Sequence, residues 1–197
     1  MYVNKDLNIE WWLPPRTASR MTRMIIEKLG FEQVGYHHSF NSINENRKIY
    51  INVRNPYSII VSRYKQFNNR HISYTWTNFN EFVKTFATWV ETGHIKIFKD
   101  YPETFESTNT KPFFKVRYEN YLQDLMSIDF IKDNQHIIQP ELDTVNQGKW
   151  NDNVFVDTTK PYYEFYDQET ADIVYKLYEN NFVYDGYDKE SWKTITI

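Results

Sequence analysis

The chain has 197 residues and a formal net charge of −3, with 23 Lys and Arg against 26 Asp and Glu. This length is sufficient for one ordinary domain with its own hydrophobic core, and the acidic balance argues against a general nucleic-acid binder. The lack of cysteine excludes disulfides, thiolate zinc sites, iron–sulfur clusters and a cysteine nucleophile. No apolar run approaches the roughly 20 residues needed to cross a bilayer, so we expect a cytoplasmic protein that does not act at a membrane.

The glycine and aromatic contents narrow the possible functions further. Only five glycines occur, and their positions allow neither G-x-G-x-x-G nor G-x-x-x-x-G-K-[ST], so the common nucleotide-binding loops are excluded. Aromatic residues make up 18% of the chain. A sugar-stacking surface is one interpretation of this excess, but Tyr and Phe spread over the whole length are more typical of core packing.

The first 70 residues alternate between predicted strands and helices. Residues 9–13 form a short apolar run that predicts a strand ended by two prolines, and residues 19–29 have helical spacing before a C-capping glycine. Strands are predicted over 31–36 and 48–53, and a helix is predicted over 56–67. The alternation predicts an α/β fold with a mostly parallel central sheet flanked by helices.

The remainder of the chain is predicted to be more helical. Residues 79–92 and 169–180 have the apolar periodicity of helices, and residues 113–118 read as one more strand. Residues 134–162 show little periodicity and predict a loop-rich connection. No internal repeat interrupts the pattern, and we expect a single domain over residues 1–197.

The turn after the first of these strands combines residue types that bind anions. It contains Arg16, Thr17, Ala18, Ser19 and Arg20, which supply two guanidinium groups, two hydroxyls and a small residue that lets a ligand approach the backbone. A strand, a tight turn and a helix in succession also bring backbone N–H groups and the positive end of the helix dipole to one point. The alternative is that Thr17 or Ser19 only caps the helix, with solvated arginines.

A second candidate anion site follows the strand at 48–53. Arg54 leaves the end of that strand, and Ser62 lies two turns along the following helix, so both side chains can face one phosphate. Ligands of open α/β sheets bind at the carboxyl ends of the strands, which places this site beside the first. Two neighbouring anion sites imply a ligand with two anionic groups.

The two segments together resemble the cofactor motifs of an enzyme family. PPRTASRM, followed by INVRNPYSIIVSRY, is similar to the motif pair of sulfotransferases that use 3'-phosphoadenosine 5'-phosphosulfate (PAPS). KVRYENYLQDL and LYENNF with the later Gly-Tyr resemble further elements of that family. The Pro-Arg-Thr-Ala-Ser form is closest to the carbohydrate branch of heparan and uronyl 2-O-sulfotransferases, which has lysine where this chain has Arg16.

The resemblance implies a P-loop-like three-layer sandwich and a set of site residues. The 5'-phosphosulfate of PAPS is expected to be held by Arg16, Thr17, Ala18, Ser19 and Arg20. The 3'-phosphate is expected to be held by Arg54 and Ser62. Arginine at position 16 keeps the charge of the family's lysine but does not copy a compact ammonium at the bridging oxygen, which bears on the rate of transfer more than on binding.

A histidine is the expected catalytic base, because its pKa lies near neutral pH and sulfuryl transfer requires removal of the acceptor's proton. His37 and His38 fall at a strand end between the two cofactor motifs, where the 2-O-sulfotransferase branch carries a His-x-His pattern. His38 is the favoured base and His37 the alternative, with Arg16 completing the predicted catalytic group. No carboxylate is spaced to complete a metal site beside the histidines, so no metal is expected.

The resemblance therefore implies transfer of a sulfuryl group from PAPS to a hydroxyl acceptor, with adenosine 3',5'-bisphosphate (PAP) as product. The acceptor expected from the family and the aromatic content is a saccharide or a small metabolite. A non-catalytic PAPS- or PAP-binding sensor or interaction module is the alternative.

Overall fold

The computed structural model describes residues 1–35, 46–69, 76–95, 112, 114–146 and 160–193. The chain divides into two compact units. The sheet unit comprises Met1–Arg54 and Glu103–Asn151, and the helical unit comprises Asn55–Pro102 and Asp152–Ile197.

A five-stranded mixed sheet forms the centre of the sheet unit. Its strands are β1 (Tyr2–Asn4), β2 (Ile9–Trp12), β3 (Glu32–Gln33), β4 (Lys48–Val53) and β5 (Phe114–Arg117). The spatial order is β3-β1-β2-β4-β5. β2, β4 and β5 are parallel, whereas β1 runs antiparallel to both β2 and β3. The mixed α/β character agrees with the sequence, and the parallel arrangement is confined to three neighbouring strands.

The antiparallel edge has local causes. Asn4 ends β1, and its side-chain oxygen accepts a hydrogen bond from the Leu7 amide at 2.9 Å, which folds the chain back toward β2. Asn8 completes this turn with a φ of 57°, a conformation that Asn tolerates better than most residues. The strand predicted over 31–36 forms only the two-residue β3, and Tyr36 lies outside the described residues.

Within its described residues, the sheet unit has four helices: α1 (Ser19–Lys28), α4 (Tyr121–Met126), α5 (Asp129–Asp133) and α6 (Gln135–Asn146). They share one hydrophobic core with the sheet, which includes Trp11, Ile25, Tyr50, Leu125, Ile138 and Leu142. The prediction of a loop-rich segment over 134–162 is wrong for its first part, which is α6. Ile138 and Leu142 are one helical turn apart and buried, so burial of this face outweighs the interior Pro140 and the polar neighbours.

The described part of the helical unit contains α2 (Pro56–Asn69), α3 (Phe79–Glu91), α7 (Gln168–Leu177) and α8 (Glu179–Asp185). Two predicted helices, 56–67 and 79–92, are confirmed to within two residues. The helix predicted over 169–180 is instead interrupted at Tyr178, whose φ of −122° and ψ of 22° separate α7 from α8.

Much of the aromatic content is used in the core of the helical unit. Tyr57, Phe79, Phe82, Phe86 and Phe182 are buried there and belong to one cluster. Buried tyrosines use their hydroxyls internally: Tyr57 donates to the Lys189 carbonyl at 2.6 Å, and Tyr166 donates to the Tyr57 carbonyl at 2.8 Å. Burial raises the pKa of both phenols above the ordinary value, so they remain protonated donors at neutral pH.

Within the ranges described, none of the helices combines the length and the apolar character needed to cross a membrane.

Candidate functional site

The carboxyl ends of the three parallel strands bring the candidate residues of the sheet unit together. Trp12 of β2 lies opposite Ile51 of β4, and Val53 lies opposite Arg117 of β5. The chain therefore leaves β2, β4 and β5 at the same edge of the sheet, where ligands of parallel sheets bind. We call residues 14–19, which lead from β2 into the first residue of α1, the β2–α1 loop.

The β2–α1 loop contains two residues in the left-handed backbone region. Arg16 has a φ of 69° and Ala18 has a φ of 62°, although neither is glycine. Such residues cost about 1 to 3 kcal/mol each and persist only where surrounding contacts enforce them. The conformation of the loop must therefore be stabilised by other parts of the chain.

Three consecutive carbonyl oxygens of the loop accept hydrogen bonds from residues outside it. Arg54 Nη1 donates to the carbonyl of residue 16 at 3.1 Å, and Asn52 Nδ2 donates to that of residue 17 at 2.8 Å. The carbonyl of residue 18 accepts from the Thr22 amide at 3.0 Å and from the Thr22 hydroxyl at 3.3 Å. Donors from β4, its end and α1 thus fix the orientation of these three peptide groups.

The orientation of these carbonyls also fixes the direction of the next amides. In a trans peptide, the C=O of one residue and the N–H of the following residue point in opposite directions, and none of the described peptide bonds is cis. The N–H groups of Thr17, Ala18 and Ser19 consequently point away from the donors that hold the carbonyls. Successive amides directed to one side form the kind of concavity that binds anions.

Neither Thr17 nor Ser19 caps the start of α1, in contrast to the alternative interpretation of these two residues. The N-cap is Ala18, which has no side-chain acceptor, and Ser19 is already the first helical residue. The Thr17 hydroxyl donates to the Pro14 carbonyl at 2.6 Å and is buried. The capping interpretation is therefore wrong, and the first turn of α1, which contains no acidic residue, presents the positive end of its dipole toward the loop.

Arg54 lies between the loop and the end of β5. Besides its hydrogen bond to the Arg16 carbonyl, its guanidinium carbon lies 3.7 Å from the centre of the Tyr118 ring. Stacking on an aromatic face leaves the edges of a guanidinium available for hydrogen bonding. The structure thus brings two predicted cofactor residues, Arg16 and Arg54, together and adds Tyr118, which sequence reasoning missed.

A buried polar network behind the loop was also missed. Asn52 is fully buried in β4 and accepts a hydrogen bond from Trp11 Nε1 at 2.9 Å while its amide nitrogen donates to Thr22 Oγ1 at 2.6 Å. Thr22 Oγ1 lies 3.0 Å from the Tyr121 hydroxyl. Burial raises the pKa of Tyr121, which keeps its phenol protonated. The available signal was an amide side chain among the apolar residues that follow Lys48 in the strand KIYINV.

The remaining predicted site residues lie on helices or outside the described residues. Arg20 is exposed in the first turn of α1, directly after the loop, and Ser62 lies on α2, in the helical unit. The candidate bases His37 and His38 lie outside the described residues. Over the part of the chain that the structure describes, no three His, Asp or Glu side chains are grouped as a metal site.

Residues 33–128 match the family model of the Sulfotransferase domain. The matched region includes Arg54 and Ser62 and begins after the β2–α1 loop, so the geometry of that loop is evidence independent of the match. No curated protein and no solved structure matches the chain significantly. Over just under half of its length, this chain is similar to sulfotransferase domains, which supports a relation to that family and sulfuryl transfer in general.

Proposed function

We propose that this chain is a PAPS-dependent sulfotransferase that transfers a sulfuryl group to a hydroxyl acceptor. The observation that carries the proposal is the juxtaposition of the β2–α1 loop with Arg54 at the carboxyl ends of two adjacent parallel strands. The match of residues 33–128 to the Sulfotransferase domain supports the same function from the part of the chain that follows the loop.

The loop is suited to the 5'-phosphosulfate group. The amides of residues 17–19 point to one side of the loop, the dipole of α1 favours negative charge there, and the Arg16 and Arg20 guanidinium groups supply further donors. The buried Thr17 hydroxyl stabilises the loop through Pro14, so we assign the contribution of Thr17 chiefly to its backbone amide. Ala18 and Ser19 contribute amides from the same stretch.

Arg54 and Ser62 are proposed to bind the 3'-phosphate. For Arg54 the support is its position at the end of β4 and its orientation by Tyr118. For Ser62 the proposal rests on the sequence pattern, in which serine follows the arginine by eight residues and lies on a helix, α2.

PAPS, when bound, supplies the activated sulfuryl group. In the transfer, the acceptor oxygen forms a bond to sulfur as the bond between sulfur and the bridging phosphate oxygen breaks, which releases PAP. The Arg16 guanidinium would stabilise the negative charge that develops on the bridging oxygen. The acceptor's proton would pass to His38, or to His37 in the alternative assignment. Five further features stay predictions from the sequence: a saccharide acceptor, membership of the 2-O branch, one domain over residues 1–197, a P-loop-like three-layer fold and independence of metal.

The first test is calorimetric titration of the protein with PAP. Replacement of Arg54 by Ala removes a guanidinium and its charge-assisted hydrogen bonds, and we expect the affinity for PAP to fall at least about tenfold. The matched control is Lys132→Ala, which removes one positive charge from the exposed side of α5 in the same unit and should leave affinity unchanged. Wild-type protein that does not bind PAP would refute the proposal.

Turnover distinguishes the enzyme from a PAP-binding sensor. Labelled PAPS is supplied with a panel of saccharide and small hydroxyl acceptors, and sulfated product is measured. We expect His38→Ala to retain PAP binding and to lose product formation. Binding by the wild type without product from any acceptor would favour the non-catalytic alternative, and full activity of His38→Ala would move the base to His37.

A further inference from the structure

The network behind the β2–α1 loop has an unusual composition for its place in the fold. Asn52 lies on β4, an interior strand of the five-stranded sheet, and is 0% exposed, as are its partners Trp11 and Thr22. Burying an amide costs free energy unless its hydrogen bonds are satisfied. Asn52 satisfies this requirement through bonds to Trp11, Thr22 and the Thr17 carbonyl, at distances of 2.6 to 2.9 Å.

Two of these residues contact the loop backbone directly. Asn52 holds the carbonyl of residue 17, and Thr22 holds that of residue 18. The Tyr121 hydroxyl, buried at the start of α4, lies on the far side of Thr22 at 3.0 Å. The polar network therefore extends from the core of the sheet unit to two peptide groups of the loop, the ones whose amides belong to residues 18 and 19.

We propose that Asn52, Thr22 and Tyr121 are positioning residues that hold the β2–α1 loop in its anion-binding conformation before the ligand arrives. The inference rests on the proposed function insofar as the bound anion is taken to be the phosphosulfate of PAPS. It adds residues that do not touch the ligand and act through the backbone of the loop.

The physical reason is the unfavourable backbone conformation of the loop. Arg16 and Ala18 would relax toward negative φ values if their carbonyl oxygens were not held. Rotation of the peptide groups 17–18 and 18–19 would turn the amides of Ala18 and Ser19 away from the ligand side. A loop already held in place loses less conformational entropy when a ligand binds, and this increases affinity without any new contact.

The decisive variants alter the Thr22 hydroxyl. Thr22→Val is nearly isosteric and removes the hydroxyl, whereas Thr22→Ser retains it. The matched control is Thr144→Val in α6, because the Thr144 hydroxyl also donates to the carbonyl four residues earlier, Pro140, at 2.9 Å. Urea denaturation of each variant shows whether the native fold is retained.

The first measurement is amide hydrogen exchange in ligand-free protein, which requires no assumption about function. We expect the amide of residue 22, which donates to the Ala18 carbonyl at 3.0 Å, to exchange about tenfold faster in Thr22→Val, with wild-type rates in Thr22→Ser and Thr144→Val. Unchanged exchange in Thr22→Val would overturn the proposal. If Thr22→Val does not fold, Tyr121→Phe removes only the last hydroxyl of the network and should give a smaller increase at the same amide.

The second measurement is affinity for PAP and for inorganic pyrophosphate, a probe without a nucleoside. We expect Thr22→Val to bind both about tenfold more weakly and Thr22→Ser to bind both normally. Equal affinity of wild type and Thr22→Val for PAP would overturn the positioning role while the proposed function stands. Binding of pyrophosphate but not PAP by the wild type, weakened by Thr22→Val, would refute the proposed function while the positioning role stands.

Discussion

Two helices of equal length, α1 in the sheet unit and α7 in the helical unit, begin in opposite ways. Each has ten residues. At α7, the Asp167 carboxylate accepts a hydrogen bond from the Thr170 amide at 2.9 Å and the Thr170 hydroxyl accepts one from the Asp167 amide at 3.2 Å, which is a complete capping box. At α1, the N-cap is Ala18, in a left-handed conformation and without a side-chain acceptor.

The comparison separates a helix start that stabilises the fold from one suited to a ligand. At α7 a carboxylate of the chain itself occupies the place where an external anion would lie, and Asn80 adds a hydrogen bond to it at 2.6 Å. At α1 no side chain caps the first amides, and Arg54 and Asn52 hold the carbonyl oxygens of residues 16 and 17 on the opposite side of the peptide groups. A strained loop held from behind therefore distinguishes α1 as the candidate for anion binding.

The largest effect is expected at the strained start of α1. Ala18→Val places a β-branched residue at a φ of 62°, and we expect it to lower the free energy of unfolding by about 2 kcal/mol and the affinity for PAP more than about tenfold. Urea denaturation and calorimetry measure the two quantities.

Ala18→Gly is the matched control for this substitution, because glycine adopts positive φ readily. It should retain PAP binding and change stability by less than about 1 kcal/mol. Wild-type affinity in Ala18→Val would contradict the role assigned to the loop.

An intermediate effect on stability, and none on binding, is expected at α7. Asp167→Ala removes the N-cap acceptor and should destabilise the protein by about 1 kcal/mol in urea denaturation, with PAP affinity unchanged. Asp172→Ala, within the same helix, is the control and should cost less than the cap. Loss of PAP affinity in Asp167→Ala would remove the distinction between the two helix starts.

The smallest effect is a pH dependence at the same cap. The hydrogen bonds from the Thr170 amide and hydroxyl, followed by that from Asn80, lower the pKa of Asp167 below its ordinary value. Because the folded-state pKa is depressed, this carboxylate contributes stability above its ordinary pKa near 4, and the contribution is lost as the pH falls through the lower folded-state value.

Asp167→Asn retains an N-cap acceptor without the charge. Its stability in urea should be below that of the wild type at pH 7 and should approach it in acid. A difference from the wild type that does not change with pH would show that the charge contributes nothing.

Elements with a clear pattern of apolar residues in their own segment were predicted correctly. The β-branched run of β4 and the periodic apolar face of α3 are both found as predicted. The helix α6 was predicted as loop because Pro140 and polar residues weaken its pattern, whereas packing of Ile138 and Leu142 in the core of the sheet unit decides its structure.

The candidate site divides in the same way. Sequence motifs identified Arg16 and Arg54, and the parallel pairing of β2 with β4 brings them together. These motifs did not identify Asn52, Thr22 and Tyr121, because the hydrogen-bond partners of each residue lie in other segments of the chain. They form a network only in the tertiary structure. There, Thr22 contacts Asn52, which is 30 residues away in the sequence, and Tyr121, which is 99 residues away.

The sequence by itself determined the strand–loop–helix order at residues 9–28, the residue types of the loop and the arginine that follows β4. Apolar periodicity and residue chemistry are local properties and can be read in one segment at a time. The tertiary structure decided that Arg16 and Ala18 take left-handed conformations, since the donors that hold the carbonyl groups of residues 16–18 come from the end of β4, β4 itself and α1. The direction of the loop amides, and with it the candidate anion site, depends on those donors.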